Sequence, residues 1–584
     1  MIDLGNATDI ARLFAAIEQS RQALRPFREN RIKMLREFVG SYYNNDGSQL
    51  DVLVNLLNIT AEVYTIGLAA NNPRVRITSP RRDLWAFAAR YQKAINNYLR
   101  EMRFAETMQR IVMDAFFTIG VAKVFQGASD TPVQLEDDVW ADPGRPYISR
   151  ISLDDYGLDM SVKDIRRCRF QWDEYRVSWE SVRKHPAFNQ REVKKLAPTS
   201  KWERGEEQAN QITSGSMVDD DEYEPMVDLM DVWLPELQCV AVFSPRSQTK
   251  PLAVIEDVFE GGPYLHLSFL EVPDNVMPSS PGQNILGLHL LYNGLLRKQS
   301  RQARRQKINP IYRPVASEDA DRLRRHDDGE WVKVADPTAV GVLSQGGVDN
   351  ASVAFGANVL SLFERAAGNL QAKAGLGPSA GTVGQEELIA QAVDRREAHV
   401  KSRTHAFTAR AMQALGYLAW EDPQLEIPDH SEYAPGTGVY VDRSWSPDHR
   451  EGDFWEYEFD IHPDSMQFVS SEAALAKFER SMATLMQLYP AIQASGGGLD
   501  GQELVRLYAE KAQEPDLERL FTFAVPASSG MQDGAGMPAQ TTRSYVRRNV
   551  ATGGSADARA LAQQQAWAGG DTASQGVQMA VGGK

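Results

Sequence analysis

Apolar positions recur at helical spacing over most of this chain. Ile10, Leu13, Phe14 and Ile17 predict one amphipathic helix, and Ile32, Leu35, Phe38 and Tyr42 predict the next. A third covers Leu50 to Ala70 and is ended by Asn71-Asn72-Pro73. Two more lie over Leu84 to Met102 and Ala105 to Ile119, with Gly120 closing the segment. The period then shortens. Arg74 to Thr78 alternates like a strand. Short β-rich runs bounded by turn residues follow at Val121 to Phe125, Tyr147 to Leu153, Val227 to Leu234, Cys239 to Phe243, Ala253 to Phe259 and Tyr264 to Leu270. Gln208 to Asp221 is polar throughout and reads as an exposed loop.

Three long helical patterns occupy Ser280 to Trp420. The first opens on Ser280-Pro281-Gly282-Gln283, an N-cap serine, a proline at the first helical position and a glutamine as capping-box partner. Ile285, Leu288, Leu291 and Leu295 carry it into a basic stretch, Arg297 to Lys307, which Asn309-Pro310 stops. The second runs from Asp349-Asn350 through Val359, Phe363, Leu370 and Ala374 to Gly375-Leu376-Gly377-Pro378. Thr382 and Gln385 cap the third, which continues through Ile389, Val393, Val400, Phe407, Ala411, Leu415 and Leu418. The plan is helix, small α/β insert, helix, loop, long helix. Beyond it, Trp455 to Ile461 alternates as a returning strand, and helical spacing resumes over Ala473 to Leu488 and Leu504 to Ala512. From about Ala527 the chain is Gly/Ala/Ser/Gln-rich, too poor in large apolar residues to build a core alone. The fold class is α+β, predominantly helical.

With 584 residues, 42% hydrophobic and 24% charged, the chain is of globular composition and long enough for several cores. The net charge of -15 argues against coating nucleic acid through the overall field, though not against a local path for it. Cys168 and Cys239 are the only cysteines, so no disulfide framework is expected and a reducing compartment fits. The polar start Met1 to Asn6 does not resemble a secretory leader. The most apolar run, Val52 to Ala70, carries Asn55, Asn58 and Glu62, so a buried helix is expected there and no membrane span.

Catalytic signatures are missing from the sequence. The Gly375 to Gly384 loop lacks the Gly-Lys-Ser/Thr ending of a phosphate cradle. His399 and His405 stand six apart on a helix and face differently, so they do not form a zinc pair. Asp219, Asp220, Asp221 and Glu222 resemble paired nuclease carboxylates but fit a solvated loop better. No catalytic, cofactor or metal site is therefore expected. The alternative readings are a metal-dependent DNA-processing enzyme built on those four acids, or a monomeric scaffold or adaptor. The basic helix end has two readings, an anion-contacting surface or a solvated end complementing the helix dipole. Arg322, Arg324, Arg325 and His326, beside Asp327-Asp328, suit local or intersubunit ion pairs. The second helix is rich in small and polar residues, which suits either a water-filled passage or close helix packing.

The order of these elements resembles the portal (head-to-tail connector) proteins of tailed bacteriophages. So does the early stretch Asn55-Leu56-Leu57-Asn58-Ile59-Thr60 through Asn71-Asn72-Pro73. The resemblance spans about Leu50 to Ala524. It implies wing, stem, clip and crown domains assembled as a ring, a dodecamer, with a central channel. On that scheme 1–279 is an N-terminal wing, 280–309 the first stem helix and 310–347 the clip. The second stem helix is 348–376, the tunnel loop 377–384 and the remaining wing 385–469; crown helices occupy 470–526 and a low-complexity tail 527–584.

The resemblance further implies Arg365, Asn369, Lys373, Ser379 and Thr382 as DNA-channel candidates. Arg297, Lys298, Arg301, Arg304 and Arg305 become capsid or intersubunit contacts, and Tyr312, Arg322, Arg324, Arg325 and Trp331 become clip docking residues. Its implied partners are double-stranded DNA in the channel, major capsid protein, terminase, and tail adaptor or head-completion proteins. The implied place is the virion, after assembly in the host cytoplasm. A helix of about 25 residues would be roughly 37 Å long, enough to cross a capsid wall. Twelve copies would sum to a formal charge of -180, which would repel duplex DNA and suit low-friction passage.

Overall fold

The two amphipathic segments predicted at the N-terminus are one helix, α1 (Ala7–Val39), which continues through Pro26. An interior proline costs roughly 3 kcal/mol through its lost donor and steric clash. Leu24 and Ile32 keep the buried stripe in phase on both sides of it and offset that cost. Asn6 caps the start, its Oδ1 accepting from the Thr8 N–H at 3.0 Å. The computed structural model describes residues 2–40, 53–127, 133–136, 139–141, 144–185, 187–198, 224–246, 250–256, 258–327, 329–368, 383–422, 425, 427–428, 432–433, 440–441, 444–445, 450–462, 465–466, 471–494 and 508. The chain divides into two units, Met1–Ala524 and Val525–Lys584, and every described residue belongs to the first.

Helix α2 (Leu56–Ala69) is capped by Asn55, and strand β1 (Val75–Thr78) precedes α3 (Trp85–Glu101) and α4 (Phe104–Phe117). Strands follow: β2 (Gly120–Gly127), β3 (Val133–Glu136), β4 (Val139–Ala141), β5 (Arg145–Ile151), β6 (Tyr156–Leu158) and β7 (Gln171–Ser178). After the short helices α5 (Trp179–Lys184) and α6 (Gln190–Val193) come β8 (Met226–Leu234), β9 (Cys239–Phe243), β10 (Ala253–Ile255) and β11 (Tyr264–Leu267). They form a five-stranded sheet, β10-β9-β8-β7-β6, and a three-stranded sheet, β11-β2-β5. Every strand pairing described is antiparallel. With about 52% helix and 19% strand, that makes the fold α+β as expected.

The sequence reading missed the β3–β4 hairpin and two strands of the larger sheet, β6 and β7. β7, next to the centre of the larger sheet, carries Asp173, Glu174 and Arg176, so its buried face does not look apolar. β6 is only three residues long. Conversely, the β-rich runs ending at Phe259 and Leu270 are strand only to Ile255 and Leu267, where their ladders end.

Helix α7 (Pro281–Arg304) leads to strand β12 (Lys307–Tyr312), helix α8 (Ser317–Arg325) and strand β13 (Val340–Gln345), the predicted small α/β insert. α7 ends earlier than expected. Lys307 to Asn309 leave the helix because β12 pairs along its whole length with β13, from Lys307↔Gln345 to Tyr312↔Val340. Helix α9 (Asn350–Ala367) is also shorter than its apolar pattern suggested. Gly368 adopts φ 90 and returns its N–H to the carbonyls of Arg365 and Glu364, a left-handed cap that halts the helix. α10 (Val383–Glu421) runs 39 residues, and α11 (Ser471–Ala494) extends the helix predicted over Ala473 to Leu488. The predicted returning strand is Glu458–Ile461; it pairs with β1, not with either large sheet. The helix predicted over Leu504 to Ala512, the polar loop Gln208 to Asp221 and the tail after Ala527 lie outside the described residues, Tyr508 apart.

Four apolar cores lie among the described residues, and the three largest organise the body. Phe87, Tyr91, Trp420, Trp445, Phe454 and Tyr457 form an aromatic cluster where α3, α10 and the returning chain meet. Tyr91 stacks on Trp445 at 5.5 Å and donates to the Gly416 carbonyl at 2.6 Å. Gly416 is forced: a Cβ there would lie 2.7 Å from the Phe459 ring. In the second core, α1 lays Ile10, Leu13, Phe14 and Ile17 against Trp172, Met230 and Phe243 of the larger sheet. The third joins Met34, Leu57, Phe116 and Phe117 to Ile285 of α7 and Phe363 of α9.

Candidate interaction site: a two-helix arm

The third core is the root of an arm formed by α7, the insert and α9. Ser280 Oγ accepts from the Gln283 N–H at 3.2 Å and starts α7, with Pro281 at the first helical position. Gly282 lets the helix approach α4; a Cβ would sit 3.0 Å from the Phe116 carbonyl oxygen. Further along, Asn293 is buried and fastens α7 to the chain before α2. Its Oδ1 accepts from the N–H groups of Leu53 and Val54 at 3.0 and 3.1 Å, and its Nδ2 donates to the Val54 carbonyl at 3.0 Å. His289, also buried, sets Nε2 3.7 Å from a Glu37 carboxylate oxygen on α1. Sequence reasoning overlooked this pair. The available signal was two polar residues at i and i+4 on an otherwise apolar helix face.

α9 returns antiparallel to α7. Gln299 Nε2 donates to the Ser352 carbonyl at 3.0 Å near the far end, while Ile285 shares the root core with Phe363 and Ala367. Further out the arm stops burying itself. Every residue of β12 is exposed. Ala316 and Ala339 are buried in the insert, and the buried Asp319 carboxylate accepts from the Ala335 N–H at 2.9 Å. Thr338 donates its N–H and hydroxyl to Asp336 at 2.9 and 2.7 Å, which holds that carboxyl below its usual pKa and closes the turn into β13. Thirteen of the twenty-five large apolar side chains exposed among the described residues fall between Leu290 and Leu362. Val315 is 98% exposed and Trp331 102%.

The first limb of the arm is also charged in one sense. Between Pro281 and Ala316 there are seven Lys and Arg and no Asp or Glu, in a chain of net charge -15. Lys298, Arg301, Arg304 and Arg305 are exposed and Arg297 is half-buried. Among the described residues, none of those four exposed cations makes an ion pair. The dipole of α7 accounts only for cations in its last turn, Arg301 and Arg304; it does not call for Lys298 or Lys307.

Comparison with protein-family models and with curated proteins gives no match. The arm's role therefore rests on its own residues. Of the channel candidates, Arg365 is exposed on the last turn of α9, whereas Asn369, Lys373, Ser379 and Thr382 lie outside the described residues. Tyr312, Arg322, Arg324, Arg325 and Trp331 are all exposed on the insert, and Arg322 approaches Glu318 at 4.0 Å within α8. Asp219 to Glu222 lie outside the described residues. Among the described residues, no helix is long and apolar enough to cross a membrane.

Proposed function

We propose that this chain is a portal protein of a tailed bacteriophage, twelve copies of which form a ring around a channel for double-stranded DNA. One observation carries the reading: the arm exposes large apolar side chains that no other described residue covers. Isolated apolar side chains on a surface are ordinary, but a concentration of them on one projecting element marks an interface. A cyclic ring supplies that cover by a head-to-tail contact, in which one face of each arm meets a different face of the next. α7 and α9 act as the two stem helices, β12 to β13 as the clip, and the sheets and α10 as the wing.

In this reading the ring sits at one capsid vertex against the major capsid protein. The clip, with Tyr312 and Trp331, docks terminase during packaging and tail adaptor or head-completion proteins afterwards. The energy for translocation comes from the motor. The exposed cations of α7 face an anionic partner or an acidic neighbour, and Arg365 faces the channel.

The test is the mass and shape of the purified full chain. Twelve 65.1 kDa chains give about 0.78 MDa, and light scattering with negative-stain imaging should find a ring of that mass with a central opening. A monomer at working concentration would end the proposal.

A further inference from the structure

Outside the arm, the most unusual chemistry is a group of charges buried between the two sheets. Lys123 on β2 places Nζ 2.7 Å from Asp173 Oδ1 on β7 and 2.6 Å from Asp231 Oδ2 on β8. Asp173 and Asp231 are direct cross-strand partners, a placement in which like charges repel. Tyr175 donates to Asp231 Oδ1 at 2.8 Å; Tyr264, on β11, donates to Asp173 and to the Asp231 carbonyl. The ammonium also lies 5.3 Å from the Tyr175 ring centroid and 5.7 Å from that of Tyr264. All three charged residues are buried. Ordinary bookkeeping leaves this group with one ammonium against two carboxylates, a surplus negative charge shut away from water.

We propose that Lys123, Asp173 and Asp231 form a proton-responsive joint between the two sheets, one that tightens when the carboxylate pair takes up a single proton. A buried carboxylate pair that shares one counter-ion favours holding one proton between its members. Burial, with Asp231 opposite, accordingly pushes the Asp173 carboxyl above its usual pKa despite Lys123. The joint has mechanical reach. β11 leads, through a bridge between Leu270 and Ser279, into the Ser280 cap of α7, so the three-stranded sheet carries the arm's root while the other side of the joint carries the five-stranded sheet.

The sign follows from linkage. A carboxyl whose folded pKa is raised above its unfolded value destabilises the fold while ionised, and stability is regained as pH falls through the folded value. His266 works in the opposite sense. It is half-buried beside Tyr156, whose hydroxyl lies 2.6 Å from Nε2 and whose ring packs on Tyr264. Burial, with Arg410 nearby, lowers its pKa to about 3, so stability is lost as pH falls from its unfolded value towards that point. The readout is therefore a difference between variants.

The experiment is urea denaturation of the full chain from about pH 8 to about pH 5, for wild type, Asp173→Asn, Lys123→Met and the double variant. The asparagine substitution keeps an acceptor for Lys123 and Tyr264 but removes the surplus charge. Asp173→Asn should be the more stable protein at the alkaline end, its advantage shrinking as the pH falls. Lys123→Met should fold poorly at the alkaline end and recover on acidification or on addition of Asp173→Asn. Difference infrared spectra should show a protonated-carboxyl carbonyl band in wild type that Asp173→Asn lacks. Parallel pH profiles for wild type and Asp173→Asn, or no such band, would overturn the proposal even if Lys123→Met fails to fold.

Discussion

The aromatic core around Tyr91 and the arm beyond Gln299 solve burial in opposite ways. Around Tyr91, rings from three distant parts of the chain close on one another: Phe87, Trp420 and Tyr457 surround it within a single molecule. Beyond Gln299, Ile308, Tyr312, Val315, Trp331 and Val342 face solvent. The body therefore has the means to fold by itself. The arm's outer half lacks them: among the described residues, nothing covers its apolar side chains.

Variants sharpen that contrast in order of size. Trp420→Ala opens the body's core and should cost about 3–5 kcal/mol, measured as a fall in the main urea transition. Phe363→Ala, buried at the arm's root, belongs to the same class, but the loss should appear first as faster hydrogen exchange in α7 and α9. Asn293→Ala leaves the Leu53 and Val54 N–H groups without their acceptor and should cost about 1–3 kcal/mol, again concentrated at the root. Val315→Ser with Trp331→Ser should move the stability of a single chain by no more than about 0.5 kcal/mol while reducing assembly. Smallest of all, Lys298→Ala should leave folding unchanged and only weaken the salt dependence of assembly or of binding to an anionic partner.

Much of this was legible in the residues. The cap Ser280-Pro281-Gly282-Gln283 and the helix–insert–helix order fall where apolar spacing placed them, because both depend on local chemistry. The strand Cys239–Phe243 was readable for the same reason, as a short apolar run bounded by turns. β7 was not, since Asp173 and Glu174 on it are tolerated only through Lys123, Tyr264 and Arg21 from distant segments. The two N-terminal segments were read as separate helices, whereas one buried stripe continues through Pro26. The end of α9 depended on Gly368 adopting a left-handed conformation, whereas the apolar pattern through Leu370 and Ala374 argued for continuation. At the arm, the basic run was plain from composition, but Asn293's part in fixing the root required knowing that Leu53 and Val54 lie beside it.

On the proposed reading, further copies of the same chain cover the arm's exposed face. Imaging the purified full-length protein, with its mass measured in parallel, tests this most directly. Closed rings of about 0.78 MDa with an opening wide enough for a DNA duplex are expected. A homogeneous 65.1 kDa monomer, with the arm folded back onto its own body, would contradict that reading.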